Sequence, residues 1–185
     1  MGDDSPAALA RLLCGRDNPS REAALPRYLQ YRGIAFSRHR FARPQGRGDT
    51  FAIELGEGPR VLLLCAHHDA IPGSPGANDN AAAVGILLHL IHRLPSRIAR
   101  GWRVRLLFTA AEELDYLGAR AYVEDTALSD VAGVLGLVYL LLGLFTPALS
   151  KPGSIAVPLV PVLAGGVAGV RLSGPQLGRV LGEGI

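Results

Sequence analysis

A chain of 185 residues, 49% hydrophobic and 19% charged, is long enough to bury one core and too apolar for intrinsic disorder. Its net charge of +3 rests on arginines spread along the sequence (Arg38, Arg40, Arg43, Arg47; Arg97, Arg100, Arg103, Arg105), the pattern of a solvated surface, so no nucleic-acid partner is expected. Cys14 and Cys65 read as free thiols in a reducing compartment, and the acidic start MGDDSPAALARLL lacks the basic n-region of a signal peptide, so a cytoplasmic location is expected.

Taken in order, Ser5 can cap a short helix with Pro6 at its first position and Ala7 to Leu13 following, ended by Gly15. Ser20 can cap a second helix, in which Ala24, Leu25, Tyr28 and Leu29 recur at helical spacing. Pro26 is expected to kink it or shift its start, and Gly33 to stop it. Ile34 to Phe41 and Thr50 to Leu55 read as strands joined by a loop with Pro44, Gly46 and Gly48. The alternation of Phe51, Ile53 and Leu55 suggests a half-exposed strand near a sheet edge. A turn at Gly56-Glu57-Gly58-Pro59 then leads into Val61 to Ala66, apolar without alternation and hence a fully buried strand. Asn80 can cap a helix from Ala81 to Arg93, with Val84, Leu87, Leu88 and Ile91 on one face and Pro95 closing it. Val104 to Thr109 reads as another buried strand, followed by a helix from about Tyr116 to Glu124.

Strand and helix in alternation imply an α/β fold: a three-layer α/β/α arrangement around a mixed, largely parallel central sheet. Beyond about Thr126 the texture changes. Val131 to Leu142 reads as a third buried strand. The uncharged run to Ser150 offers a membrane span as the alternative, disfavoured by Gly133, Gly136, Gly143 and Pro147. Ser154 to Val170 has neither helical nor strand periodicity.

The chemistry gathers at two strand ends. His67 and Asp69 lie on one side of an extended segment, so Asp69 can accept an imidazole N–H and leave the other ring nitrogen for a metal. Asp79 follows at a helix start, where it can bridge two cations. Glu112-Glu113 closes the next buried strand; one can ligate a metal while the other faces substrate as a base. Taken singly, a His-x-Asp, an acidic pair or a capping Asp is surface chemistry. Together at successive strand ends they are costly unless paired or metal-bound. His68, His89 and His92 read as structural or exposed.

The segments AHHDAIPGSPGANDNAAAVGILLHL and VRLLFTAAEELDYLGARAYV resemble the co-catalytic zinc aminopeptidases, peptidase family M28, which also contains zinc carboxypeptidases and glutaminyl cyclases. The resemblance spans about Val61 to Val123, and its most specific part is Gly76-Ala77-Asn78-Asp79-Asn80. It implies two zinc ions, with His67 on one, Asp79 bridging both and Glu113 on the second. Glu112 would be the general base for water attacking a peptide carbonyl, and Asp69 would orient His67. It also implies a cis peptide bond after Asp79, and a peptide or small amino-acyl substrate.

Two further ligands are implied, a carboxylate ending the next strand and a late His. Leu141 stands where the carboxylate belongs, and no His follows His92. The expectation is therefore a partial zinc exopeptidase domain over residues 1–140, with impaired hydrolysis, and an apolar Pro/Gly-rich tail over 141–185 outside the family pattern. A glutaminyl cyclase-like zinc acyltransferase and a non-catalytic or membrane-associated degenerate homologue are the alternatives.

Overall fold

A computed structural model describes residues 4–137. Five strands form one sheet in the order β1 (Ser37–Arg43), β2 (Gly46–Gly56), β4 (Trp102–Thr109), β3 (Arg60–His67), β5 (Val131–Gly136). β3 pairs in parallel with β4 and β5, while β2 is antiparallel to both β1 and β4. Only β2 runs against the others, so the sheet is mixed and largely parallel, as expected.

Continuous apolar sequence lets β3 and β4 bury both faces. Leu62, Leu64, Val104, Leu106 and Phe108 pack with α1 (Pro6–Ala10), α2 (Asn18–Tyr31) and α3 (Ala82–Arg93) through Leu9, Leu25, Leu29, Val84, Leu87 and Leu88. On the other face Val61, Leu63 and Leu107 pack with Tyr122 of α4 (Leu117–Asp125). The result is three layers, α/β/α. Each fully buried Leu contributes roughly 1.5–3 kcal/mol by leaving water, so the sheet is held from both sides.

Several local expectations change. Asp17, not Ser20, caps α2: its carboxylate accepts the Ser20 N–H at 2.9 Å. The helix runs on through Pro26, which is buried with Leu25 and Leu29. The first hairpin is tighter than expected, because Gly46 and Gly48 belong to β2 and only Pro44-Gln45 turns the chain. β2 is not an edge strand. It lies between β1 and β4 and is buried from Gly48 to Ile53, since Phe51 and Ile53 meet the helices on one face while Ala52 joins the apolar cluster on the other.

Asn80 does not cap α3. Its φ/ψ of −138°/32° is non-helical, its side chain is fully buried, and the helix begins at Ala82 after a single wide turn, Ala77–Ala81. The Asp79–Asn80 peptide bond is cis, as the resemblance implied. Cys14 follows α1 in a turn and is exposed, and both cysteines are free. Arg105 is buried and Arg103 partly so: they pair with Glu54 and share Asp130, at 2.6 and 3.1 Å. β5 ends at Gly136, and the sequence-based readings for the chain beyond Leu137, including the 141–185 tail and Leu141, lie outside the described residues. Among the described residues no helix is long and apolar enough to cross a membrane.

Candidate metal centre

Parallel pairing sets the two chemistry-bearing strand ends side by side, His67 opposite Thr109 in register. From there β3 continues as His68-Asp69 and β4 as Ala110 to Glu113. Ala111 sits in the left-handed region at φ 53°, which costs a non-glycine residue roughly 1–2 kcal/mol. The turn it starts is closed by the Tyr116 and Leu117 N–H groups on the carbonyls of Glu112 and Ala111, at 2.8 and 3.0 Å. That turn brings both glutamates back over the end of the sheet.

His67 is 2% exposed. Its Nε2 lies 2.8 Å from Asp79 Oδ1 and 3.9 Å from Glu112 Oε2. Donor atoms of His67, Asp79 and Glu113 all fall within 4.8 Å of one another. Asp69 stands behind them. Its Oδ2 accepts the Glu113 N–H at 3.1 Å, and its Oδ1 is 3.6 Å from His67 Nδ1, an ion-pair distance rather than a hydrogen bond. One carboxylate thus touches both strand ends. All five residues singled out in the sequence are brought together. His68 is buried apart, its Nε2 3.0 Å from the Asp49 carbonyl, while His89 meets the Asp4 carbonyl.

Electrostatics follow from four carboxylates crowded on one imidazole. Burial pushes Glu112 above the ordinary carboxylate range; His67 opposes this, while Glu113, Asp69 and Asp79 add to it. Glu113 is raised by burial and then by Asp79. Burial alone would lower His67, but Asp69, Glu112 and Asp79 outweigh it and raise the imidazole. Asp69 is held down despite burial, by His67 and by the backbone N–H groups of Glu112 and Glu113. A donor set of one imidazole and two carboxylates suits zinc. The buried and unpartnered Glu113 Oε1 also fits a cation, whose charge would relieve the mutual repulsion.

Sequence reasoning missed Arg21. It is fully buried, its Nε donating to the His68 carbonyl at 2.9 Å and its Nη2 to the Gly76 carbonyl at 2.8 Å. A signal existed: Arg21 stands four residues before Leu25 and eight before Leu29, in the same inward stripe of α2.

Comparison with known proteins places this geometry. The family model described as peptidase family M28 matches residues 51–137. Aminopeptidase YwaD of Bacillus subtilis is 36% identical over 66 residues, 36% of this chain and 14% of that protein. The probable lipoprotein aminopeptidase LpqL of Mycobacterium tuberculosis is 32% identical over 81 residues, 44% of this chain and 16% of that protein. The aligned stretches thus span less than a fifth of the curated relatives' length. Among solved structures, a glutaminyl cyclase from Macrostomum lignano superposes with a TM-score of 0.58 at 23% identity, over 74% of this chain and 52% of that one. A Zn-dependent exopeptidase from Parabacteroides distasonis does so with 0.55 at 18%, over 73% and 60%. These two share the fold. Residues 51–137, which hold every residue of the centre, match the model of peptidase family M28.

Proposed function

We propose that this chain carries the metal-bearing part of a zinc-dependent peptidase that hydrolyses the amino-terminal bond of a peptide or small amino-acyl substrate. The observation that carries the reading is the convergence of His67, Asp79 and Glu113 within 4.8 Å, with Glu112 alongside at 3.9 Å from His67 Nε2. We assign these three as the metal ligands, Asp69 as the group that orients His67, and Glu112 as the general base. The match of residues 51–137 to the family model and the two aminopeptidase relatives support that assignment.

When bound, zinc supplies Lewis-acid polarisation of the carbonyl and lowers the pKa of a coordinated water towards 7. The chain's own residues do the rest. Glu112, its carboxyl raised by burial, takes a proton from the attacking water and returns it to the leaving amine. Asp69 holds the His67 ring from behind and the Glu113 backbone from the side, so that two ligands share one support. A second zinc ion would need donors beyond these three.

The test is hydrolysis of amino-acyl p-nitroanilides by the zinc-loaded chain, against Glu112→Gln. Loss of about 10²–10⁴-fold in kcat with zinc uptake retained supports the assignment. Equal rates in the two proteins would remove Glu112 from the chemistry. A glutaminyl-peptide in the same assay separates the acyl-transfer alternative, for cyclised product without hydrolysis would replace this reading.

A further inference from the structure

The loop that carries the metal donors is fastened from outside the family segment, which begins at residue 51. Between Asp69 and Asp79 the chain has little structure of its own, only a Ser74 N–H to Ile71 carbonyl bond and a Gly76 N–H to Ser74 hydroxyl bond. The Ala81 N–H donates to the Gly76 carbonyl at 3.0 Å and the Ile71 backbone hydrogen-bonds the Glu113 carboxylate, and a further set of fixed points lies on the segment from Gly15 to Arg21. The Gly15 N–H donates to the Pro75 carbonyl at 2.7 Å. Asn18 grips Ala70 twice, donating from Nδ2 to its carbonyl at 3.0 Å and accepting its N–H on Oδ1 at 2.9 Å. Arg21 spans the two ends, Nε to His68 and Nη2 to Gly76. His68 is the neighbour of His67, and Gly76 lies three residues before Asp79.

Close packing fixes the Arg21 geometry further. A methyl group on Gly76 would stand 2.3 Å from Arg21 Nη1, so glycine is required for the guanidinium to reach the carbonyl beside it. The guanidinium is completely buried, and among the described residues no carboxylate hydrogen-bonds it. A buried arginine spent on two main-chain carbonyls is expensive as a surface anchor. It makes sense as a rigid fork, whose two parallel donors fix a distance that the single point charge of lysine cannot.

We infer that Gly15–Arg21 is a clamp that presets the spacing of His67 and Asp79, with Arg21 its central positioning residue. The inference rests on the metal reading above. Its consequence is that zinc affinity depends on residues at the start of α2 that touch no ligand atom. Loss of supporting contacts to metal ligands costs about 10- to 100-fold in metal affinity.

The experiment uses the full 185-residue chain, stripped of metal, with zinc affinity read by competition against a chromophoric chelator. Arg21→Lys keeps the charge and loses the fork. Asn18→Ala leaves Arg21 untouched and keeps the inference testable if the first variant folds poorly. The expected result is a zinc dissociation constant raised about 10- to 100-fold in Arg21→Lys and at least severalfold in Asn18→Ala. Unchanged affinity with a lowered melting temperature would make the contacts merely structural and overturn the inference. Normal affinity in Arg21→Lys with tighter binding in Arg21→Met would show that charge, not geometry, is what Arg21 supplies, and would overturn it equally. If the wild-type chain takes up no zinc, the metal reading fails, and hydrogen exchange decides the clamp alone. Faster exchange of the Ala70, Gly76 and Ala81 amides in Arg21→Lys supports it; unaltered exchange refutes it.

Discussion

Asp69 shows how much one buried carboxylate can organise. It is 5% exposed, accepts the Glu113 N–H and faces His67 Nδ1. Asp69→Ala is expected to weaken zinc binding about 10- to 100-fold, measured by chelator competition; Asp69→Asn, which keeps an oxygen for the Glu113 N–H, is expected to lose less. His68 carries a pH prediction. It is fully enclosed, with Nε2–H donating to the Asp49 carbonyl, and burial lowers its pKa below the ordinary 6.5. The folded state therefore binds fewer protons than the unfolded one near that pH. The stability His68 contributes is complete above about pH 6.5 and falls as pH drops towards its folded pKa, by at most about 1.4 kcal/mol per pH unit. His67 works the other way: its pKa is raised, so its contribution is lost as pH rises through that value. Denaturant melts of metal-free His68→Gln, which retains an N–H donor for Asp49, should lose the part of the acid-side slope that sets in below about pH 6.5. An identical slope in both proteins would assign the acid loss to other groups.

At the scale of elements, α1 is a short helix tied down by a close approach. A methyl group on Gly85 of α3 would lie 2.3 Å from the Pro6 carbonyl oxygen and 2.8 Å from the Ala10 nitrogen. Backbone cannot yield as a side-chain tip can. Gly85→Ala is thus expected to cost about 1–3 kcal/mol, seen in urea melts as a lower midpoint with an unchanged slope. The same scale explains what was legible in the sequence. β3, β4 and α3 were read within a residue or two, because unbroken apolar runs and the Val84-Leu87-Leu88-Ile91 stripe have no second interpretation. β2 was placed at an edge because its alternation looks half-exposed. Of its charged positions only Asp49 is spent inside, buried and bound by Arg40 at 2.9 Å, while Glu54 stays exposed and pairs with Arg103 and Arg105. Residue type alone makes Asn80 and Ser20 look like caps, and type does not report the φ/ψ that decides a cap. Arg21 is hard to read from sequence because an arginine in a first helical turn is ordinarily solvated.

Across the whole molecule, one sheet end holds a cluster of four carboxylates around a single imidazole, whose mutual repulsion a cation would relieve. Metal binding to the folded state alone adds RT ln(1 + [L]/Kd), about 2.7 kcal/mol when free zinc is a hundred times its dissociation constant. A chelator should therefore lower the melting temperature of the zinc-loaded chain, and zinc should restore it; the shift should vanish in His67→Ala. The most direct measurement of the central claim is zinc stoichiometry, taken on the metal-stripped 185-residue chain and on its His67→Ala, Asp79→Ala and Glu113→Ala variants by chelator competition. The account predicts at least one tightly held zinc per wild-type chain, weakened by each of the three substitutions. Zinc uptake by wild type no greater than that of all three variants would contradict it.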